Sequence, residues 1–278
     1  MSGGNLDPKQ TAITSRGKTI RRSILQIVHD SGASHIGSAF SLVEALSAVF
    51  SCVNIDNIRN RQEDRDRVLL SKGHGAAALY AVMHAYGLMD KELLSTYFKN
   101  GSLLSGHSSH FVPHVEHSTG ALGHGLSVGV GIAIGLKSKG FLSSRVFVIL
   151  GDGETHEGSN WEGFMFAGHR CLNNLCVLVD NNNLGGVGIT DSVCSLRNLE
   201  KMIESFGFAT FSVDGHDEPA IRKIIQETAT NNSKPVAIVC HTVKGKGVSF
   251  MEADECWHYR PPNKEAFQKA MAELEHQA

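Results

Sequence analysis

The chain alternates short runs of β-branched and aliphatic residues with longer stretches whose apolar positions recur every three or four residues. Ile20, Ile24, Ile27 and Val28 fall on one face of a helix predicted over 8–31. Ser41 and Glu44 have the spacing of a capping box, which predicts a second helix ending near Phe50. Residues 56–67 are charged and predict a solvated loop, Val68-Leu69-Leu70 a strand, and Ser71–Gly75 the turn into an Ala-rich helix over 76–87. A short helix is expected at 90–98. Residues 99–125 are rich in Gly, Ser and His and predict a long irregular loop that closes on a ligand. The pattern then runs helix 126–139, strand 146–150, a helical stretch, strand 175–179, helix 195–206, strand 208–213, helix 217–230 and strand 236–241. A charged helical tail is expected at about 261–278. This alternation predicts an α/β fold with a doubly wound, mainly parallel sheet flanked by helices, as one unit over 1–278. Right-handed crossovers place the strand-end loops together.

Composition narrows the function classes. The chain has 278 residues, 41% hydrophobic and 19% charged, with a net charge of −2, as expected of a soluble enzyme with neither nucleic acid nor a membrane surface as partner. No apolar run approaches the ~20 residues that span a bilayer. The N-terminus lacks the apolar core of a signal peptide, so a cytoplasmic location is expected. None of the six cysteines forms a CxxC pair, which argues against zinc. Histidine is abundant, at fifteen, and many histidines sit beside glycine or serine.

The densest chemistry lies between Gly151 and Asn183. Gly151-Asp152-Gly153 ends one apolar run, and Asn181-Asn182 follows the next after 27 intervening residues. Adjacent parallel strands would deliver Asp152 and Asn182 to one sheet edge, where open α/β folds bind ligands. A carboxylate, an amide oxygen and a nearby carbonyl such as that of Leu184 suit a hard divalent cation holding a diphosphate. Glycines let the backbone approach closely, and N–H groups at the next helix start can receive phosphate oxygens.

This spacing resembles the thiamine-diphosphate signature, and the surroundings resemble the N-terminal, diphosphate-binding part of transketolase from about Arg16 to Pro262. Further matches are Ser34-His35-Ile36-Gly37, Leu70-Ser71-Lys72-Gly73-His74-Gly75, Gly106-His107, Ser118–Gly125, and Lys244-Gly245-Lys246-Gly247 followed by Trp257-His258. The resemblance implies the thiamine-diphosphate-binding fold, with Asp152, Asn182 and the Leu184 carbonyl holding Mg²⁺, for which Ca²⁺ or Mn²⁺ can substitute. It implies that Gly153 and Glu154 lie against the diphosphate, that His74 and His258 also touch it, and that Gly120 and Leu122 line the cofactor pocket. His35, His74, His107 and His258 match histidines that bind the sugar and move protons, work suited to imidazole. His110 and Glu157 are second-rank candidates. Departures at Ile36, His124 and Lys244 leave the branch and the sugars open.

The implied activity is transfer of a two-carbon ketol unit from a ketose, or its phosphate, to an aldose. The resemblance covers less than half of a full transketolase. The expected arrangement is therefore a split enzyme in which a separate C-terminal subunit completes each site, as an α₂β₂ assembly. Residues 159–168 are a candidate partner-facing helix, with core packing as the alternative. Half of a deoxyxylulose-phosphate synthase-like or 2-oxoacid dehydrogenase-like enzyme, or a non-catalytic cofactor-binding module, are the other readings.

Overall fold

A computed structural model describes Pro8 and residues 11–276, apart from 187, 197, 231 and 232. Among the described residues, five parallel strands form one sheet: β1 (Arg67–Leu70), β2 (Val146–Gly151), β3 (Leu175–Asn181), β4 (Ala209–Asp214) and β5 (Val236–His241). Their spatial order is β1-β2-β3-β5-β4, so β4 skips a place and β5 returns to fill it. The predicted doubly wound parallel sheet is the one observed.

Helices α1 (Ser15–Ser31), α2 (Ile36–Ser41), α3 (Val43–Cys52) and α4 (Ile55–Arg59) precede β1. Between β1 and β2 lie α5 (Ala76–Ala85), α6 (Lys91–Leu94) and α7 (His124–Ser138). Then α8 (Gly158–His169) leads to β3, α9 (Thr190–Cys194) and α10 (Leu199–Ser205) to β4, α11 (Glu218–Thr230) to β5, and α12 (Lys264–His276) follows. The strands are buried on both faces, which is why their sequences read as unbroken apolar runs. Phe147, Ile149, Leu178 and Ile238 point into a core shared with α1, α2, α3, α5 and α11. Val146, Val148, Leu150, Val177 and Val239 point the other way, against α7, α8 and α10.

Local chemistry moved several boundaries. The first helix starts at Ser15 because the Thr14 hydroxyl accepts the Gly17 N–H at 3.0 Å. Residues 11–14 of the predicted 8–31 span are non-helical, and 9 and 10 lie outside the described residues. The capping box at Ser41 does not form. Ser41 ends α2 and donates to Asp180 Oδ2 at 2.6 Å, while Glu44 is fully buried against Arg21. The predicted loop at 56–67 opens with α4, capped by Asn54. The predicted helix at 195–206 starts only at Leu199. The C-terminal tail is helical through His276, with 277 and 278 outside the described residues. It packs Ala270 and Leu274 into the core and stacks Phe267 on His29, with ring centroids 4.2 Å apart. On α8, Phe164 and Ala167 are buried while Met165 and Phe166 are about half exposed, so that helix serves the core and still presents an apolar surface.

Candidate active site

The register of two strands sets the centre of the site. Gly151 of β2 pairs with Asp180 of β3, and the Asp152 N–H donates to the Asp180 carbonyl at 3.1 Å. Asp152 and Asn182 therefore emerge side by side at the carboxyl edge of the sheet. The Asp152 carboxylate is 5% exposed and, among the described residues, accepts only neutral donors, the Gly153 N–H at 2.8 Å and the Thr190 hydroxyl at 3.1 Å. Burial, and then the nearby Asp180, push its pKa up. Asn182 donates from Nδ2 to Asp180 Oδ2 at 3.2 Å, and its Oδ1 accepts the Leu184 N–H at 3.0 Å.

Asp180 is neutralised from the other side. Lys72 Nζ lies 2.6 Å from its Oδ2, and Ser41 and Thr242 donate to it as well. Burial opposes its ionisation, but the Lys72 charge and hydrogen bond win and hold its pKa below the usual carboxylate range. Of two adjacent buried carboxylates, one is paired with a cation and Asp152 has no ion pair among the described residues.

The four candidate histidines meet around His35. Its ring centroid lies 5.3 Å from His74, 5.8 Å from His107 and 4.9 Å from His258, and His74 and His258 are 5.5 Å apart. His35 adopts a left-handed backbone (φ 71°), a conformation that is uncommon outside glycine and here turns the chain into α2. Burial, followed by His107, Lys244 and Lys72, lowers its pKa to about 4. Burial and Lys244 lower that of His258 to about 3, burial and Lys72 take His74 well below the ordinary value, and burial lowers His107. The ring of histidines is neutral near pH 7, so each imidazole offers one donor and one acceptor. Lys244 Nζ donates to His258 Nδ1 at 2.9 Å, which places the His258 proton on Nε2.

The long segment between α6 and α7 has no regular structure, yet it is tied down. The Thr119 hydroxyl donates to the Leu70 carbonyl at 2.7 Å, and Tyr80 donates to the His107 carbonyl at 3.1 Å. Gly73 lets this segment sit on the β1 turn, since a Cβ there would lie 2.8 Å from the Gly120 nitrogen. Glu154 turns its carboxylate inward, where it accepts from the Ser71 hydroxyl, the Gly123 N–H at 2.9 Å and the Gly151 N–H at 3.1 Å. One acid thus staples three loops together.

A cavity of about 250 Å³ opens between these elements. All eleven sequence candidates line it: His35, His74, His107, Gly120, Leu122, Asp152, Gly153, Glu154, Asn182, Leu184 and His258. His110 and Glu157 do not; His110 is exposed and bonded to Ser118 at 2.7 Å. Sequence reasoning missed Lys72, Asp180, Thr190 and His156. Lys72 belongs to the Leu70–Gly75 motif, and the apolar run before Asp180 is legible as a strand, but their pairing is a tertiary fact. Lys244 stood out only as a departure; its Nζ also donates to the carbonyls of Leu184 at 3.0 Å and Gly185 at 3.3 Å.

The donor set fits a divalent cation carrying a diphosphate. It offers one carboxylate without a counter-ion, plus amide and backbone oxygens that each keep a free lone pair. No cluster of three or more His, Cys, Asp or Glu able to hold a metal occurs among the described residues. A cation here would take its remaining ligands from phosphate and water.

Residues 13–275 match the family model described as transketolase, thiamine diphosphate binding domain. The chain belongs to the transketolase family. It is 36% identical over 255 residues to one of the subunits of apulose-4-phosphate transketolase from Phocaeicola vulgatus, covering 91% of this chain and 90% of that protein. It is 34% identical to the 6-deoxy-6-sulfo-D-fructose transketolase subunit SqwG of a Clostridium species, covering 97% of this chain and 98% of the other. Transketolase from Leishmania mexicana superimposes with a TM-score of 0.86 at 28% identity over 95% of this chain but 41% of its own. The chain thus spans nearly the whole of these two transketolase subunits, and about two fifths of the solved transketolase. Among the described residues, no helix is long and apolar enough to cross a membrane.

Proposed function

We propose that this chain is the N-terminal subunit of a split transketolase. With a separate C-terminal subunit, as an α₂β₂ assembly, it transfers a two-carbon ketol unit from a ketose or its phosphate to an aldose. The observation that carries this reading is the juxtaposition, in one cavity, of a buried counter-ion-free carboxylate and a ring of four neutral histidines. The near-complete coverage of relatives named as subunits supports the split arrangement. The whole chain acts as one diphosphate-binding unit.

Asp152, Asn182 and the Leu184 carbonyl would hold Mg²⁺, with Ca²⁺ or Mn²⁺ able to replace it. Gly153, Glu154, His74 and His258 would lie along the diphosphate, with Gly120 and Leu122 walling the pocket. Thiamine diphosphate, when bound, supplies the electron sink that lets a carbon–carbon bond beside a carbonyl break and re-form. His35, His74, His107 and His258 bind the sugar hydroxyls and carbonyl. Because they are neutral, they can both give and take a proton at an oxygen whose charge changes. His258 presents Nε2–H, fixed in that tautomer by Lys244.

The sugars named for the relatives, apulose-4-phosphate and 6-deoxy-6-sulfo-D-fructose, each carry an anionic group. Lys72 and Lys244 are committed to Asp180, to two carbonyls and to His258, so an anionic sugar tail would meet residues of the partner.

The test is a ketose–aldose assay with thiamine diphosphate and Mg²⁺, run on this chain alone and with a co-expressed C-terminal subunit. Turnover only with the partner is expected. Robust turnover by this chain alone overturns the split arrangement. Decarboxylation of pyruvate points to another thiamine-diphosphate enzyme, and binding without turnover in any pairing leaves a cofactor-binding module.

A further inference from the structure

A second polar cluster makes no hydrogen bond or ion pair to the residues that line the cavity, among the described residues. Arg21 of α1 and Glu44 of α3 are completely excluded from solvent and form a bidentate pair, with N–O distances of 2.5 and 2.8 Å. Arg21 also donates to the carbonyls of Phe40 at 3.0 Å and Lys246 at 2.8 Å. His216, in the turn after β4, is 1% exposed. Its Nδ1 lies 3.0 Å from Glu44 Oε2, and its Nε2 lies 2.8 Å from the Val243 nitrogen. A backbone N–H can only donate, so Nε2 accepts and the imidazole proton sits on Nδ1, facing Glu44.

Desolvating this network is costly, and apolar residues of similar volume would stabilise a core at least as well. What the network provides is direction. Its two outputs, a bond to the Val243 N–H and a bond to the Lys246 carbonyl, bracket Lys244. The same loop is pinned by the Gly245 N–H on the Gly37 carbonyl at 3.0 Å and by the Ala253 N–H on the Lys244 carbonyl at 2.8 Å. Gly245 is left-handed (φ 81°), and a Cβ there would fall 2.1 Å from the Met251 carbonyl oxygen, so this turn of the loop requires glycine. From this loop Lys244 reaches His258 and the Leu184 carbonyl.

We propose that His216, oriented by the Glu44–Arg21 pair, is a positioning residue of the active site: it fixes the 243–247 loop and thereby the ammonium that sets the tautomer of His258 and braces the carbonyl of Leu184. This rests on the transketolase reading only for its consequence in cofactor binding. The chain of contacts from Glu44 through His216, Val243 and Lys244 to His258 stands apart from it.

Two near-isosteric variants separate the two ends of the imidazole. His216→Asn keeps an amide near the Nδ1 position, facing Glu44, and lacks an acceptor for Val243. His216→Gln places an amide oxygen near the Nε2 position and keeps that bond. Leu136→Ala, on the far end of α7, serves as a control for lost stability alone. Two quantities are read on the full chain: the dissociation constant of thiamine diphosphate in Mg²⁺ by calorimetry, and the ring ¹⁵N signals of His258 in the cofactor-free protein. His216→Asn is expected to bind about tenfold more weakly, the scale on which residues supporting a metal site act. It is also expected to lose the single-tautomer pattern of His258. His216→Gln should retain both within about twofold, and Leu136→Ala should lower the melting temperature while changing neither.

Unchanged His258 signals in His216→Asn overturn the positioning role, as does equal cofactor affinity in a protein whose wild type binds. Wild type that fails to bind the cofactor, with or without a partner, sinks the proposed function instead, and the ¹⁵N result still decides this inference. If His216→Asn does not fold, His216→Gln carries the test: a loss in that variant matching the Leu136→Ala control, with His258 signals altered despite the retained acceptor, also overturns the role.

Discussion

Lys72 and Asp180 form a buried ion pair, 2.6 Å from nitrogen to oxygen, directly behind Asp152. By neutralising Asp180 it leaves Asp152, the neighbouring buried acid, with no ion pair of its own among the described residues. Removing the lysine leaves an uncompensated buried charge, which costs about 3–5 kcal/mol. Lys72→Met is therefore expected to lower stability by that amount in urea unfolding of the cofactor-free protein. Adding Asp180→Asn should recover a good part of it, since the two changes share one interaction.

Asp152→Asn should separate stability from ligand binding. The carboxylate is buried, its pKa is raised by burial and by Asp180, and its hydrogen-bond donors are a hydroxyl and a backbone N–H. The expected outcome is an unchanged or slightly higher melting temperature without ligand. Affinity for thiamine diphosphate with Mg²⁺ should fall by about 100-fold or more, given that outer-shell changes alone cost 10–100-fold. Calorimetric titration and a melting scan on the same sample check both.

The histidine ring gives a signed pH dependence. His35 and His258 have folded pKa values of about 4 and about 3, below the ordinary 6.5. Between those values and 6.5 the unfolded chain binds more protons than the folded one, so stability rises with pH across this window and falls on acidification through it. Glu44 acts lower down. Burial opposes its ionisation, but Arg21 and then His216 bring its pKa to about 2, so its contribution is lost as pH falls from about 4.5 toward 2. Urea midpoints of the cofactor-free chain should decline steadily from pH 7 to 4. Replacing His35 with Gln should flatten part of that slope.

Glu154→Gln tests the staple between loops. The carboxylate accepts from Ser71, Gly123 and Gly151, and a glutamine turns one acceptor into a donor facing an N–H or O–H. An expected loss of about 1–3 kcal/mol follows from leaving a buried donor unpaired. Denaturant unfolding reads it directly.

The sheet and the site differ in how far they can be read from residues alone. Strands such as Val146–Gly151 announce themselves because both faces are buried and nearly every position is apolar. Asp152 and Asn182 were legible because adjacent parallel strands must end at one edge. The Ser41–Glu44 spacing misled because a buried guanidinium 23 residues away attracts Glu44 more strongly than a helix end does. Lys72 with Asp180, 108 residues apart, and His216 with Glu44, 172 apart, carry no local signature, since each is created when separate loops converge.

Asp152 and Asn182 follow the tips of adjacent strands, whereas His107, Gly120 and Leu122 come from a segment without helix or strand that is moored by a handful of bonds. The Glu154 carboxylate, bonded to both Gly123 and Gly151, couples that segment to the strand frame. A disturbance at that single acid is thus transmitted to both sides of the pocket at once.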